Sequence, residues 1–481
     1  MHFIDLSIFI VYMLAMLGVG VYFMRKNEGM DDYYVGGRSM GSWHIGLSVV
    51  ATDVGGGFSI GLGGLGFMMG LSGSWMLFTG LLGAWLAAVF LIPKVKAHPA
   101  LQNLYTFPQI FAHFYNKKVA LAAALISGIG YIGFTSSQIL AGAKLASGTF
   151  PELSMQHALW IMGAIAIIYT VMGGIKAVIY TDTIQWIILM AGLLFIGIPM
   201  SYYAVGGWEG ISSTLPREYF SMSNLTWQNL VNWGLTIIPI WFVGMTLYQR
   251  IFASRDVQSA RKAWFIAGLF EWPIMAFMGV FLGLMAKVAT EQGMLNHLID
   301  GGTIDPEKGL PMLLSTILPF GIMGLMLSAY FSAILSTADS CLMAASGNVV
   351  SDLLHPLLGD ISDKSLMRLS QLMTLLIGIL ALWLASRMTN VLSLMLYSYA
   401  FMVSGLFVPL LVALWGKRHS SLAALVAMLS GGATTLVLSL GQIALPFGLD
   451  ANLFGISISA LLYFIISRFS YDKHTTSYPT L

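Results

Sequence analysis

Apolar runs of about the length of a bilayer crossing follow one another along the whole chain and leave room for little else. They fall at 4–24, 42–70, 74–92, 119–147, 156–173, 177–204, 227–250, 262–289, 310–348, 366–386, 390–416, 420–441 and 448–469. A membrane helix needs about twenty such residues, so the pattern predicts an all-α integral membrane protein of about thirteen transmembrane helices, with no separate soluble domain. The charge content agrees. Only 9% of the 481 residues are charged, against about 25% in soluble proteins. Lys and Arg placement sets the orientation. With the N-terminus outside and the C-terminus inside, eighteen of the 23 fall on inner loops and inner helix ends, from Arg25 to Lys473. The others, Lys144, Arg217, Lys287, Lys308 and Arg387, fall outside, as the positive-inside rule requires. The long run at 310–348 is expected to begin with a short outer helix before Pro319, and no cleavable signal peptide is expected before the first run.

The second run contains Ala51-Thr52-Asp53-Val54-Gly55-Gly56-Gly57. A carboxylate at membrane depth costs about 2.5–3.5 kcal/mol on insertion scales, and each glycine costs roughly 1 kcal/mol of helix propensity. Irregular backbone is tolerated there only where it is buried in protein or lines a watery cavity. The segment therefore reads as a broken helix at a binding site, which points to a transporter. Discontinuous helices of inverted repeats often come in pairs. The seventh run, five helices later, has Pro239 at its centre, where proline removes a backbone hydrogen bond.

In the ninth run, Ser336, Thr337, Asp339 and Ser340 fall within about one and a half turns and form a polar wedge. A single membrane hydroxyl usually bonds its own helix. Four adjacent oxygen-bearing side chains suit a hard cation, which wants several oxygen ligands. Asp182 has two readings from local sequence, an interfacial carboxylate paired with Lys176 or a site residue. Glu271, before Trp272-Pro273, is either a proton-relay group or a carboxylate bonded across helices. His44, Trp75 and Trp233 are read as packing or interface residues, and Cys341 as a small packing residue. The segment Leu101–Asn116 is amphipathic through Phe107, Ile110, Phe111 and Phe114, and is expected along the inner membrane surface. Glu291, Asp300, Asp305 and Glu307 form an outer acidic stretch, either a cover for an entrance or a solvated loop. No metal-ligand cluster and no nucleophile–base spacing supports an enzyme, and no organic cofactor or nucleic-acid partner is implied.

Four motifs then carry a resemblance: Asp32-Tyr33-Tyr34-Val35-Gly36-Gly37-Arg38, Gly173-Gly174-Ile175-Lys176-Ala177-Val178 leading into Tyr180–Gln185, Gln249-Arg250 with Ala260-Arg261-Lys262, and Ser336-Thr337. In order and spacing the chain resembles the sodium/solute symporter family, which includes proline, pantothenate, sialic acid and sugar transporters. The resemblance implies a leucine-transporter-type fold with 5+5 inverted repeats. The first helix and its loop would occupy 1–41, the first repeat 42–226, the second 227–417, and two C-terminal helices with a short tail 418–481.

The resemblance also implies a sodium site made by the carbonyls of Ala51, Val54 and Ala333 and the hydroxyls of Ser336 and Thr337. A second cation site found in some members would use Asp182, position 339 and Ser340. Position 339 is Asp here, so two carboxylates would face one ion, which would be a tightly held sodium or one exchanged with a proton. Family members that carry proline have a bulky Trp where Gly57 stands. The expected solute lining is Gly55, Gly56, Gly57, Phe58, Trp233, Thr236, Trp241 and Met245, with Tyr131 or Gln138 in addition, and Asp53, Glu271 and Arg250 are expected to serve coupling or gating. The function implied is sodium-coupled uptake of a small polar solute through a bacterial inner membrane. A small amino acid or monocarboxylate suits this lining better than a sugar, sialic acid, vitamin or nucleobase. The partners implied are sodium, the solute and the bilayer, with a monomer compatible. A channel and a transporter-like sensor are the competing classes.

Overall fold

The computed structural model describes residues 3–26, 35–173, 175–298, 304–358 and 362–470. Asp32, Tyr33, Tyr34, Gly174, Asp300 and Lys473 lie outside the described residues, as do the side chains of Val54, Phe58 and Lys176, and Gly57 is described only through its helix. All thirteen apolar runs are helical. Among the described residues eight helices are long and apolar enough to cross a bilayer, nine if one bent pair counts as a single span, and three shorter apolar helices accompany them at Phe3–Met16, Met155–Val171 and Ala451–Ser467. Among the described residues the extended structure is a single bridge, Met40 with Ser254.

The helices that position the site are α1 (Phe3–Lys26), α2 (Ser42–Val54), α3 (Gly56–Met69), α4 (Trp75–Leu86), α5 (Pro108–Phe114), α6 (Lys117–Thr149), α7 (Met155–Gly173), α8 (Ile175–Gly192), α9 (Trp227–Val243), α10 (Met245–Ala253), α11 (Val257–Leu269), α12 (Ala276–Glu291), α13 (Pro306–Ile317), α14 (Ile322–Gly347), α15 (Asp363–Ala385), α16 (Val391–Trp415), α17 (Ser421–Leu440) and α18 (Ala451–Ser467). The long run is divided as expected, α13 standing before Pro319 and α14 after it.

Both runs are broken, the second within the expected segment and the seventh at another residue than the one expected. The second run breaks at Gly55 alone, whose backbone (φ −4°, ψ −162°) leaves the helix between α2 and α3. The glycines beyond it do not break anything, since α3 is continuous. They let backbones touch: a Cβ at Gly66 would stand 2.1 Å from the Val280 carbonyl on α12, and one at Gly283 would stand 1.9 Å from the Gly63 carbonyl. Small residues at membrane helix interfaces act in this way.

The seventh run does not break at Pro239. That residue lies inside continuous α9, and the 42° bend falls at Gly244. Proline at 239 cannot donate to the carbonyl four residues back, that of Leu235. Asn452 Nδ2 of α18 donates to this carbonyl instead, at 2.8 Å, and the helix carries on.

Two loop expectations change. Phe107, Ile110 and Phe111 are wholly buried, and Phe107 packs on Tyr248 with ring centroids 4.6 Å apart. The apolar side of α5 therefore faces protein, not the membrane surface. Glu307 is not part of a solvated loop. It is buried, pairs with Lys144 at 2.6 Å, and accepts the N–H groups of Val391 and Leu392 at 2.9 and 3.0 Å. These are orphan donors at the start of α16, which a carboxylate satisfies. At the other end of the bundle, Met40 and Arg255 bind the loop after α1 to the end of α10, Met40 N donating to Ala253 O and Arg255 N to Met40 O, both at 3.0 Å.

Candidate functional site

The break at Gly55 places the end of α2 directly on the polar wedge of α14. A Cβ at Gly55 would stand 2.0 Å from Thr337 Oγ1, and one at Gly56 would stand 2.1 Å from Ile334 Cγ1. The room left by these two glycines is therefore taken by α14, so in this conformation they serve close helix approach.

Thr337 Oγ1 donates to the carbonyls of Ala51 (3.1 Å) and Ala333 (3.2 Å), and Ser336 Oγ also donates to Ala333 O at 3.1 Å. Two carbonyls and two hydroxyls from two helices thus converge, all buried. Each is a neutral oxygen of the kind a hard monovalent ion accepts. Val54 ends α2 beside them.

One turn deeper along the same two helices lies a second polar centre, built around the guanidinium of Arg250. It is wholly buried. Nη2 donates to Thr52 Oγ1 (2.7 Å), Ser340 Oγ (2.8 Å) and Asp182 Oδ2 (3.3 Å); Nε donates to Ser48 Oγ (3.2 Å) and Nη1 to Thr246 O (3.2 Å). Ser48 Oγ donates to Asp182 Oδ2 at 2.6 Å. Asp182 and Ser340, which the resemblance places at a second cation site, both accept from this guanidinium of the chain, which stands between them. Asp339 turns toward α7, where Thr170 Oγ1 donates to its Oδ1, and its buried Oδ2 has no partner among the described residues. Asp182 is unexposed, so it is not an interfacial carboxylate.

The expected solute lining is distributed unevenly. Trp233, Thr236, Trp241 and Met245 are all buried. Thr236 faces α18, its hydroxyl accepting from Asn452 Nδ2 at 3.1 Å. Met245 faces α5, its sulfur accepting from Phe107 N at 3.1 Å. Trp241 lies against Gly83 of α4 and meets Trp264 edge-on. Tyr131 OH accepts the N–H of Thr246 at 3.0 Å, just past the Gly244 bend. The carboxyls of Asp53 and Glu271 bond to one another across helices, and among the described residues no other donor reaches either oxygen of Glu271.

Sequence reading missed Ser48, Thr52 and Thr170, the hydroxyls that serve Arg250 and Asp339. The available signal was the four-residue spacing of Ser48 and Thr52, which puts both on one face of α2.

Two helices broken at Gly55 and Gly244, facing an oxygen-lined helix inside an all-helical membrane bundle, define an ion-coupled secondary transporter. The family model described as the sodium:solute symporter family matches residues 33–431, and the chain belongs to that family. Its curated relatives are transporters, not enzymes. The osmoregulated proline transporter OpuE of Bacillus subtilis is 27% identical, covering 97% of this chain and 95% of the relative. The sodium/proline symporter of Escherichia coli is 28% identical over 89% of this chain and 86% of the relative, and the sodium/glucose cotransporter of Vibrio parahaemolyticus is 26% identical over 93% and 87%. Among solved structures, a Na+-coupled sialic acid symporter in a substrate-bound outward-open state superposes with a TM-score of 0.79, at 22% identity, over 98% of this chain and all of that one. The nucleobase-cation-symport-1 family transporter Mhp1 superposes with a TM-score of 0.59 at 14% identity, over 92% of this chain and 95% of that one. These likenesses show the fold. The chain is a multi-pass membrane protein whose co-transported ion is sodium.

Proposed function

We propose that the protein carries a small polar organic solute, an amino acid or a monocarboxylate, into a bacterial cell together with sodium by alternating access. Its thirteen helices would be arranged with the N-terminus outside and the C-terminus inside, and the inverted repeats would span 42–226 and 227–417.

The observation that carries this reading is the convergence of Ala51 O, Ala333 O, Ser336 Oγ and Thr337 Oγ1 at the Gly55 break. Sodium bound there would join α2 to α14 and favour the outward-open arrangement. The solute would lie beyond the break, among Gly57, Phe58, Trp233 and Trp241. Ion and solute would each raise the affinity for the other by the same factor. Arg250 would act in coupling, because its guanidinium ties Asp182 to Thr52 and Ser340 across three helices. A second cation at Asp182, Asp339 and Ser340 would have to displace that guanidinium. The unpartnered Oδ2 of Asp339 supports a site that opens when it moves.

The test is a thermal-shift screen of the purified protein against amino acids, carboxylates, sugars and nucleobases, in sodium and in potassium. A ligand that stabilises only in sodium names the solute class. Stabilisation that is equal in both ions removes the coupling.

A further inference from the structure

The first turn of α1 and the start of α14 meet at one carboxylate. Asp5 is 2% exposed, and its Oδ1 accepts the N–H groups of Gly321 and Gly324 at 2.7 and 2.8 Å. These are amides that the start of a helix leaves without a partner. A Cβ at Gly324 would stand 2.6 Å from Asp5 Cα, so the two backbones touch and the carboxylate is held in place. Among the described residues no donor reaches Oδ2.

Asp5 borders a cavity of about 440 Å³, a size that suits a small ligand or a headgroup. The end of α6, the end of α13 and the first turns of α14 supply most of its wall, with Met323 and Leu327 among the apolar side chains. It is separate from the ion site, since neither Ser336 nor Thr337 borders it.

The polar wall offers acceptors. Thr149 Oγ1 donates to Leu145 O at 2.7 Å, Ser315 Oγ to Met312 O at 2.9 Å and Thr316 Oγ1 to Met312 O at 2.8 Å. Each hydroxyl has spent its one hydrogen on its own helix and turns only lone pairs to the cavity. No Lys or Arg is among the described residues that line it, and its other titratable group is the exposed His297. A carboxylate beside three acceptor oxygens selects a ligand with a positive charge and N–H donors, because bonds from an ammonium to a carboxylate are charge-assisted.

The edge of the cavity shows where such a ligand comes from. Phe320 on its wall and Phe3 and Ile4 beside Asp5 are exposed. Exposed apolar side chains gathered at one end of a membrane bundle mark contact with lipid. A lipid that enters here needs an ammonium head with hydrogens to give. A trimethylated head has none, and a glycerol head carries no positive charge.

We propose that this cavity binds the headgroup of phosphatidylethanolamine, its ammonium on Asp5 and its phosphate toward His297. The lipid then braces α1, the end of α6 and the turn between α13 and α14 against one another.

The experiment follows thermal unfolding of the purified full chain in detergent micelles titrated with dioleoyl phosphatidylethanolamine, phosphatidylcholine or phosphatidylglycerol, and with soluble O-phosphoethanolamine. Phosphatidylethanolamine is expected to raise the unfolding midpoint above that reached in either other lipid. Asp5→Asn keeps an oxygen for the Gly321 and Gly324 amides but loses the charge. It should require roughly tenfold more phosphatidylethanolamine for the same shift, the scale of a lost charge-assisted hydrogen bond. The double variant Ser315→Ala with Thr316→Val removes two acceptor oxygens and leaves Asp5 intact, so the site stays testable if Asp5→Asn fails to fold. A structural defect alone would lower the midpoint equally in all three lipids. Equal shifts with the three lipids in the wild-type chain overturn the proposal, as does an unaltered preference for phosphatidylethanolamine in the variants. An equal shift with O-phosphoethanolamine assigns the cavity to a soluble amine and also overturns it.

Discussion

Arg250 Nη2 donates to Asp182 Oδ2 at 3.3 Å, with neither side chain exposed to any degree. The contact joins α10 of the second proposed repeat to α8 of the first, and the same guanidinium reaches α2 and α14 through Thr52 and Ser340. Asp182, which the resemblance places at a cation site, therefore already has a cation of the chain. A buried guanidinium is replaceable in principle, because an ion and a fork of donors satisfy the same carboxylate, and only one can be present at a time.

Replacing Arg250 by Ala should leave Asp182 buried without its charge partner. Removing one member of a buried pair costs about 3–5 kcal/mol, so thermal unfolding in detergent should shift strongly downward. Arg250→Lys should recover only part of this, because an ammonium lacks the five-donor fork. A Lys variant as stable as the wild type would show that the fork is not needed.

Thr337→Ala and Ser336→Ala should each raise the sodium concentration required for ²²Na+ binding, Thr337→Ala more, since its hydroxyl reaches both the Ala51 and Ala333 carbonyls. A shift of about tenfold corresponds to about 1.4 kcal/mol. Unchanged sodium affinity in both variants would count against this ion site.

Gly55→Ala should disrupt the junction of α2 with α14, because the added carbon would meet Thr337 Oγ1 at 2.0 Å. Overpacking of this kind costs about 1–3 kcal/mol and should weaken sodium binding as well. Gly128→Ala on α6, where nothing lies within 4 Å, should be neutral or stabilising by up to about 1 kcal/mol. Comparing the two by thermal unfolding separates close approach from general helix propensity.

Asn452→Ala should expose the consequence of Pro239. The carbonyl of Leu235 would lose its donor, a cost of about 1–3 kcal/mol for a buried unsatisfied group. The double variant Asn452→Ala with Pro239→Ala should be less destabilised than the sum, because replacing the proline restores a backbone N–H that can donate to the Leu235 carbonyl within α9. Strict additivity in thermal unfolding would refute this pairing.

Asp339→Ser should change the steepness of ²²Na+ binding if a second ion enters at Asp182 and Ser340 once Arg250 moves. An unchanged Hill coefficient would leave Asp339 as a partner of Thr170 alone.

The sequence by itself determined the membrane class, the thirteen helical runs, the break in the second run and the oxygen wedge of α14. These depend on local quantities: run length against bilayer thickness, glycine against helix propensity, and the spacing of polar side chains along one helix. Only the tertiary structure decided what each group meets. It moved the second break from Pro239 to Gly244, because a residue more than two hundred positions away supplies the missing donor. It turned α5 inward, and it gave Glu307 the start of α16 to cap. It seated Arg250 on Asp182 and left Asp53 and Glu271 without a counter-charge. Partners brought together by helix packing are distant in sequence and carry no periodicity of their own, so a buried charge can be recognised along the chain while its compensation cannot.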